Sequence, residues 1–128
     1  MAIFESFSRF PIFQDCSTDE LFTLLTKVCL DFEKVPAGTC ILEADMRSKG
    51  LLFLLEGSIE QGGRILNAPA QLAVERIFGE KELSCPAIFA KTDCHLMYID
   101  QEGLFQMFQL SPKVLRNFLC SLSDYHSK

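Results

Sequence analysis

The chain is predicted to be α+β: an antiparallel β jelly roll, or double-stranded β-helix barrel, with helices before and after it. Two observations carry this. Between residues 29 and 99, short β-branched and apolar segments recur, broken by Gly, Pro, Asn and Asp, with no heptads and no long repeat. On both flanks, residues 3–28 and 100–128, the apolar positions instead recur every three or four residues, the period of a helix with one buried face. The 128 residues suffice for one domain with a real core and are too few for a second of ordinary size. Residues 1–128 are therefore taken as a single unit: N-terminal helices 3–28, barrel 29–99, C-terminal helices 100–128.

Taken in order, Phe4, Phe7 and Phe10 lie at helical spacing ahead of Pro11, which predicts a short amphipathic helix ending at the 9–11 corner. Ser17-Thr18-Asp19-Glu20 places a Ser N-cap three residues before a Glu, the reciprocal arrangement that satisfies two free N–H groups at a helix start. The stripe Leu21, Leu24, Leu25 and Val28 then needs a partner, and the sheet supplies one. From Cys29 the period falls to two: Leu30, Phe32 and Lys34 alternate with Asp31, Glu33 and Val35, a strand with one face wetter than the other.

Pro36-Ala37-Gly38 turns the chain into a second strand over 39–43, and a polar connection, 45–50, leads to the apolar run 51–55. Glu56-Gly57 ends that run. Gly62-Gly63 predicts a hairpin between Ser58–Gln61 and Arg64–Asn67, because consecutive glycines accept the positive φ of tight primed turns. The mild apolar run 72–77 is expected to be a further strand, followed by CPAIFA (85–90) and by a strand through 94–99. Beyond Asp100, a capping residue, Leu104, Phe105 and Phe108 mark a helix, and Ser111-Pro112 starts another. Its stripe of Leu115, Phe118, Leu119 and Leu122 reaches Tyr125 with no terminating Gly.

Composition narrows the function classes. Hydrophobic content of 48% with 23% charged residues is the balance of a soluble globular protein, and no apolar run reaches the ~20 residues of a membrane helix. The N-terminus, MAIFESFSRF, lacks a charged-then-apolar signal layout, so a cytoplasmic location without membrane partners is expected. A net charge of −5 argues against attraction to nucleic acid by this stretch alone. Cys16, Cys29, Cys40, Cys85, Cys94 and Cys120 include no C-x-x-C pair, and are expected to be reduced, half-buried small hydrophobes.

A metal-binding barrel would need two or three His with a carboxylate, but only His95 and His126 exist. Cys94 and His95, as strand neighbours, point to opposite faces. There is no G-x-S-x-G, P-loop or dinucleotide fingerprint, and no Ser/His/Asp or Cys/His set on a shared element. Asp19-Glu20, Glu80-Lys81-Glu82 and Asp100-Gln101-Glu102 sit at expected helix starts, where the helix dipole favours negative charge without any catalytic role. Neither an enzyme nor a cofactor is expected.

Three strings carry a resemblance: LLFLLEGSIE (51–60), FGE (78–80) and AKTDCHLMYID (90–100). Together they resemble the signature of the cyclic-nucleotide-binding domain of the Crp/Fnr-type, or catabolite activator protein, family of transcription regulators. The resemblance implies that Gly57 permits a backbone turn that a side chain would block. It also implies that Gly79 and Glu80 face a ligand, Glu80 accepting from a ribose hydroxyl, and that an Arg soon after FGE pairs with a cyclic phosphate. That Arg is missing. Ser84 stands in its place, followed by Cys85 and Pro86, with only residues 81–84 between Glu80 and the next strand. A buried phosphate without its cation costs several kcal/mol, so neither cyclic AMP nor cyclic GMP is the expected ligand.

The candidate ligand site is then Gly79, Glu80, Ser84 and Cys85, open to an unidentified small-molecule effector. The resemblance further implies a homodimer paired through the last helix, with Leu115, Phe118, Leu119 and Leu122 in the seam. That helix would continue past Lys128 into a helix-turn-helix domain, through which alone DNA would be bound. The leading expectation is a ligand-sensing and dimerising domain of a regulator. An alternative is a stand-alone protein-interaction module on the same scaffold, and a barrel enzyme trails both.

Overall fold

The computed structural model of the protein describes residues 7–77 and 85–126. Its helices are α1 (Thr18–Thr26), α2 (Gln101–Leu110) and α3 (Pro112–His126), and short 3₁₀ turns occupy Pro11–Phe13 and Val74–Arg76. Its strands are β1 (Asp31–Val35), β2 (Cys40–Leu42), β3 (Gly50–Glu56), β4 (Ser58–Gln61), β5 (Arg64–Asn67), β6 (Ala70–Leu72), β7 (Ile88–Ala90) and β8 (Cys94–Asp100). They form two antiparallel four-stranded sheets, ordered β1-β8-β3-β6 and β2-β7-β4-β5. This is the jelly roll flanked by helices that the sequence predicts.

The sheet containing β3 and β8 is buried on both faces, which explains why 51–55 is apolar without a break. Side chains alternate along β3: Leu52 and Leu54 face the other sheet, whereas Leu51 and Phe53 face the helices. Strand β8 does the same, with Cys94, Leu96 and Tyr98 turned to the barrel interior and Met97 and Ile99 to the helical layer. One apolar core therefore lies inside the barrel. A second lies between that sheet and α1, α2 and α3, where Leu21, Leu24, Leu25, Leu104, Met107, Val114 and Phe118 join Phe7, Phe10 and Phe13.

The local devices read from sequence form. Ser17 Oγ accepts from Glu20 N at 3.1 Å and Glu20 Oε1 accepts from Ser17 N at 3.3 Å, closing the capping box of α1. Asp100 Oδ1 accepts from Gly103 N at 2.8 Å and caps α2. The β4–β5 hairpin pairs Gln61 with Arg64 across Gly62 and Gly63, both at positive φ. Gly57, between β3 and β4, has φ +100°, and a Cβ there would stand 2.5 Å from Asp93 O and 2.8 Å from Cys94 Sγ.

Other expectations are corrected. The run 72–77 is not one strand: β6 stops at Leu72, Ala73 takes a left-handed conformation (φ +62°), and Val74–Arg76 coils into a 3₁₀ turn. An apolar run was ambiguous there, because burial rather than strand pairing is what its composition serves. The strand expected from Cys85 begins at Ile88. Strand β1 lies at a sheet edge with Asp31 to Lys34 exposed, including Phe32 on what should have been its dry face, and only Val35 is buried. The helix expected around Phe4, Phe7 and Phe10 begins outside the described residues; Phe10 N closes a turn on Phe7 O at 3.0 Å, and both rings are buried. The six cysteines form no disulfide, but they are not uniformly half-buried: Cys29, Cys40 and Cys120 are exposed, and Cys85 and Cys94 are buried.

Candidate functional site

Of the four expected ligand residues, Gly79, Glu80 and Ser84 lie outside the described residues. Cys85 is described and buried. Its backbone is clamped by Asp45, whose Oδ1 accepts from Cys85 N at 2.7 Å and whose N donates to Cys85 O at 3.0 Å. Asp45 achieves this double bond in a left-handed conformation, φ +61°, one that Asp tolerates better than most residues because its short side chain bonds locally. The 43–49 connection is thereby joined to the segment entering β7.

Beside this clamp lies a side chain that sequence reasoning passed over. Arg76 ends the second 3₁₀ turn and is fully buried. Its Nη1 donates to Glu43 O at 3.5 Å and its Nη2 to Pro86 O, while Nε is buried with no hydrogen-bond partner. None of the ion pairs among the described residues involves it. Ser48 N donates to Arg76 O at 3.0 Å, so three chain segments, 43–48, 74–76 and 85–86, converge on this arginine. The signal available in the sequence was slight: Arg76 is the lone cation between Arg64 and Lys81, inside an apolar run.

The surroundings connect this point to the helices. The Val74–Arg76 turn packs against α3, and Gln101 Nε2, at the start of α2, donates to Ile77 O at 2.6 Å. Five residues before Arg76, Gln71 of β6 accepts from Ile12 N at 3.0 Å through Oε1 and reaches Ser121 Oγ of α3 at 3.4 Å. Asn117, also on α3 and buried, donates to Ile12 O at 3.1 Å and Gln14 O at 2.8 Å. Strand β6, the first 3₁₀ turn and α3 thus share one hydrogen-bonded chain.

Away from this point, a concavity of about 260 Å³ is lined by Cys29, Leu30, Asp31, Lys49, Tyr98 and Asp100. Its cation is already paired. Lys49 Nζ lies 2.9 Å from Asp31, 3.3 Å from Glu33 and 4.1 Å from the centre of the Tyr98 ring. The Asp31 bond, against some desolvation, holds the lysine pKa above its ordinary value, and burial raises that of Tyr98. No group of three or more potential metal ligands occurs among the described residues. His95 and Cys94 do face apart: Cys94 is in the barrel core, and His95 Nδ1 is half-exposed, 3.7 Å from Glu56. Among the described residues no helix is long and apolar enough to cross a membrane.

The expected seam residues divide. Phe118 is in the helical core and Leu122 packs against it, whereas Leu115 and Leu119 point outward, Leu119 with 55% of its surface exposed. An outer seam on α3 can thus use Leu115 and Leu119; Phe118 and Leu122 are committed inward.

With this geometry in place, the architecture is that of a cyclic-nucleotide-binding-domain-like jelly roll. Catabolite activator protein from Thermus thermophilus superposes with a TM-score of 0.78 at 18% identity, over 91% of this chain and 58% of that one. The sensor domain of the transcriptional regulator DNR from Pseudomonas aeruginosa matches with a TM-score of 0.75 at 13% identity, over 97% and 88% of the two chains. A cyclic nucleotide-binding domain from Methylobacillus flagellatus matches with a TM-score of 0.75 at 17% identity, over 98% and 78%. The chain thus spans less than two thirds of the length of the Thermus protein. No protein-family model and no curated protein sequence matches it.

Proposed function

We propose that this chain is a ligand-sensing and dimerising domain of a Crp/Fnr-type transcription regulator, with 1–128 as one functional unit and DNA contacted through a part of the regulator outside it. The observation that carries this is the continuity from β6 to α3. The segment that leads into a ligand site there, β6 with the Val74–Arg76 turn, is bonded to, and packed on, the helix that such a regulator would use for pairing. The fold is also shared with a domain described as a sensor. A change at 74–86 would be felt by α3 because Gln71, Asn117 and the packed 3₁₀ turn leave little slack between them.

The effector is not a cyclic nucleotide on this reading, since Ser84 stands where a phosphate-pairing Arg would be needed and burying an unpaired phosphate is costly. The role on this reading is binding and not catalysis, and the compartment is the cytoplasm. Isothermal titration with cyclic AMP is expected to show no saturable site tighter than millimolar. A micromolar site would overturn this part. Sedimentation or light scattering of the purified chain is expected to show a dimer; a monomer at high micromolar concentration would overturn pairing through α3 and favour the interaction-module alternative.

A further inference from the structure

Charge compensation in this protein is inverted with respect to depth. Lys49 and Lys113, whose side chains are 53% and 32% exposed, each have a carboxylate within 3.3 Å. Arg76, with no exposed surface, has none among the described residues. Solvent would screen the lysines in any case, whereas a guanidinium in the interior has no water to solvate it. Buried cations are accordingly found paired.

Backbone carbonyls do not remove this deficit. Glu43 O and Pro86 O each accept one N–H and contribute dipoles, not a counter-charge. They also leave the edge of the guanidinium that carries Nε without a partner. That edge presents parallel N–H donors in the spacing that two oxygens of a carboxylate or phosphate accept together. The segments around it are held by the Asp45–Cys85 clamp and by the Ser48–Arg76 backbone bond, and the two carbonyl bonds orient the guanidinium before any ligand arrives.

We propose that Arg76 is the anchor of a binding site for a small oxyanion, a carboxylate or a phosphate group accepting on the Nε edge of its guanidinium. This deepens the sensor reading above and rests on it: the domain's effector is an anion, and its cation comes from the turn after β6 and not from position 84. Binding would add the missing charge at the point where the Val74–Arg76 turn meets α3.

The side-chain Nε–Hε resonance of Arg76 is a direct probe, visible in the intact protein by NMR and assigned by its loss in R76K. Titrations with sodium phosphate and with sodium acetate, each against sodium chloride at equal ionic strength, separate phosphate from carboxylate recognition and both from salt. A saturable shift of that resonance, with a melting temperature that rises with the same anion as mass action requires, is expected for at least one. R76K and R76M should lose the thermal response while keeping the wild-type circular dichroism. An Arg76 resonance indifferent to both anions overturns the proposal, whatever meets the charge instead, and needs no variant to fold. A thermal response that persists in a folded R76M or R76K overturns it too. Calorimetry with cyclic AMP and the state of association do not depend on this resonance. A dimer blind to cyclic AMP and to both anions would lose the oxyanion site and keep the sensor reading.

Discussion

Phe53 stacks on Phe13 at 5.8 Å between ring centres and meets Phe10 edge-on at 4.7 Å, with no surface exposed. Removing that ring leaves a cavity that three segments cannot close, so Phe53→Ala is expected to cost about 3–5 kcal/mol in urea unfolding. Gly57→Ala should be costly for a different reason: the backbone sits at φ +100° and the new methyl would press on Asp93 O, so a loss above about 1 kcal/mol is expected in the same assay. Gly57 was legible through the resemblance carried by LLFLLEGSIE, which implies a glycine where the backbone turns. Arg76 was not, because nothing local distinguishes a buried arginine from one on a wet strand face. Its position depends on Ala73 reversing the chain, and alanine carries no sequence mark for a left-handed conformation.

Among the elements, α1 shows how a local signal becomes a tertiary tie. Its capping Glu20 also pairs with Lys113 of α3 at 3.3 Å, and Lys113 donates to Asp15 O at 2.8 Å. The Ser17 backbone bond, then the Lys113 bond, holds the Glu20 carboxyl below its ordinary pKa of 4.5. A depressed carboxylate stabilises the fold fully above its unfolded value and loses that contribution as pH falls through the lower folded one. Melting curves of Glu20→Gln and wild type should therefore differ near neutral pH and converge in acid well below pH 4.5. Helix α3 gives the second test. Leu119→Glu is expected to yield a folded monomer, because Leu119 is largely exposed, whereas Leu122→Glu should also lower the melting temperature, because Leu122 packs on the helical core. The stripe was readable from spacing; which half faces inward was not, since both halves are equally apolar.

At the scale of the whole molecule, one sheet serves two cores, and of that arrangement only the packing of a helix stripe on the sheet was legible in the sequence; the unbroken apolar run 51–55 is explained by burial on both faces. Element order, the hairpin and both capped helices followed from turn chemistry and period. The candidate site was less legible because it is assembled from segments far apart in sequence, 43–48, 74–76 and 85–86, none of which carries a motif of its own. Asp45 and Cys85, forty residues apart, are joined by a bond that no spacing rule would suggest.

The unequal burial of the thiols also makes the protein its own opening clock. Cys29, Cys40 and Cys120 should react with an aromatic disulfide reagent at the rate of free solvent encounter, while Cys16, whose pKa burial raises, should lag. Cys94 is sealed in the barrel and Cys85 beside Arg76, so neither can be modified until its own region parts. If Cys85 is trapped appreciably faster than Cys94, the walls around Arg76 breathe while the barrel stays shut. Mass spectrometry of the quenched reaction would resolve the two rates in a single sample, without a mutation or an added label.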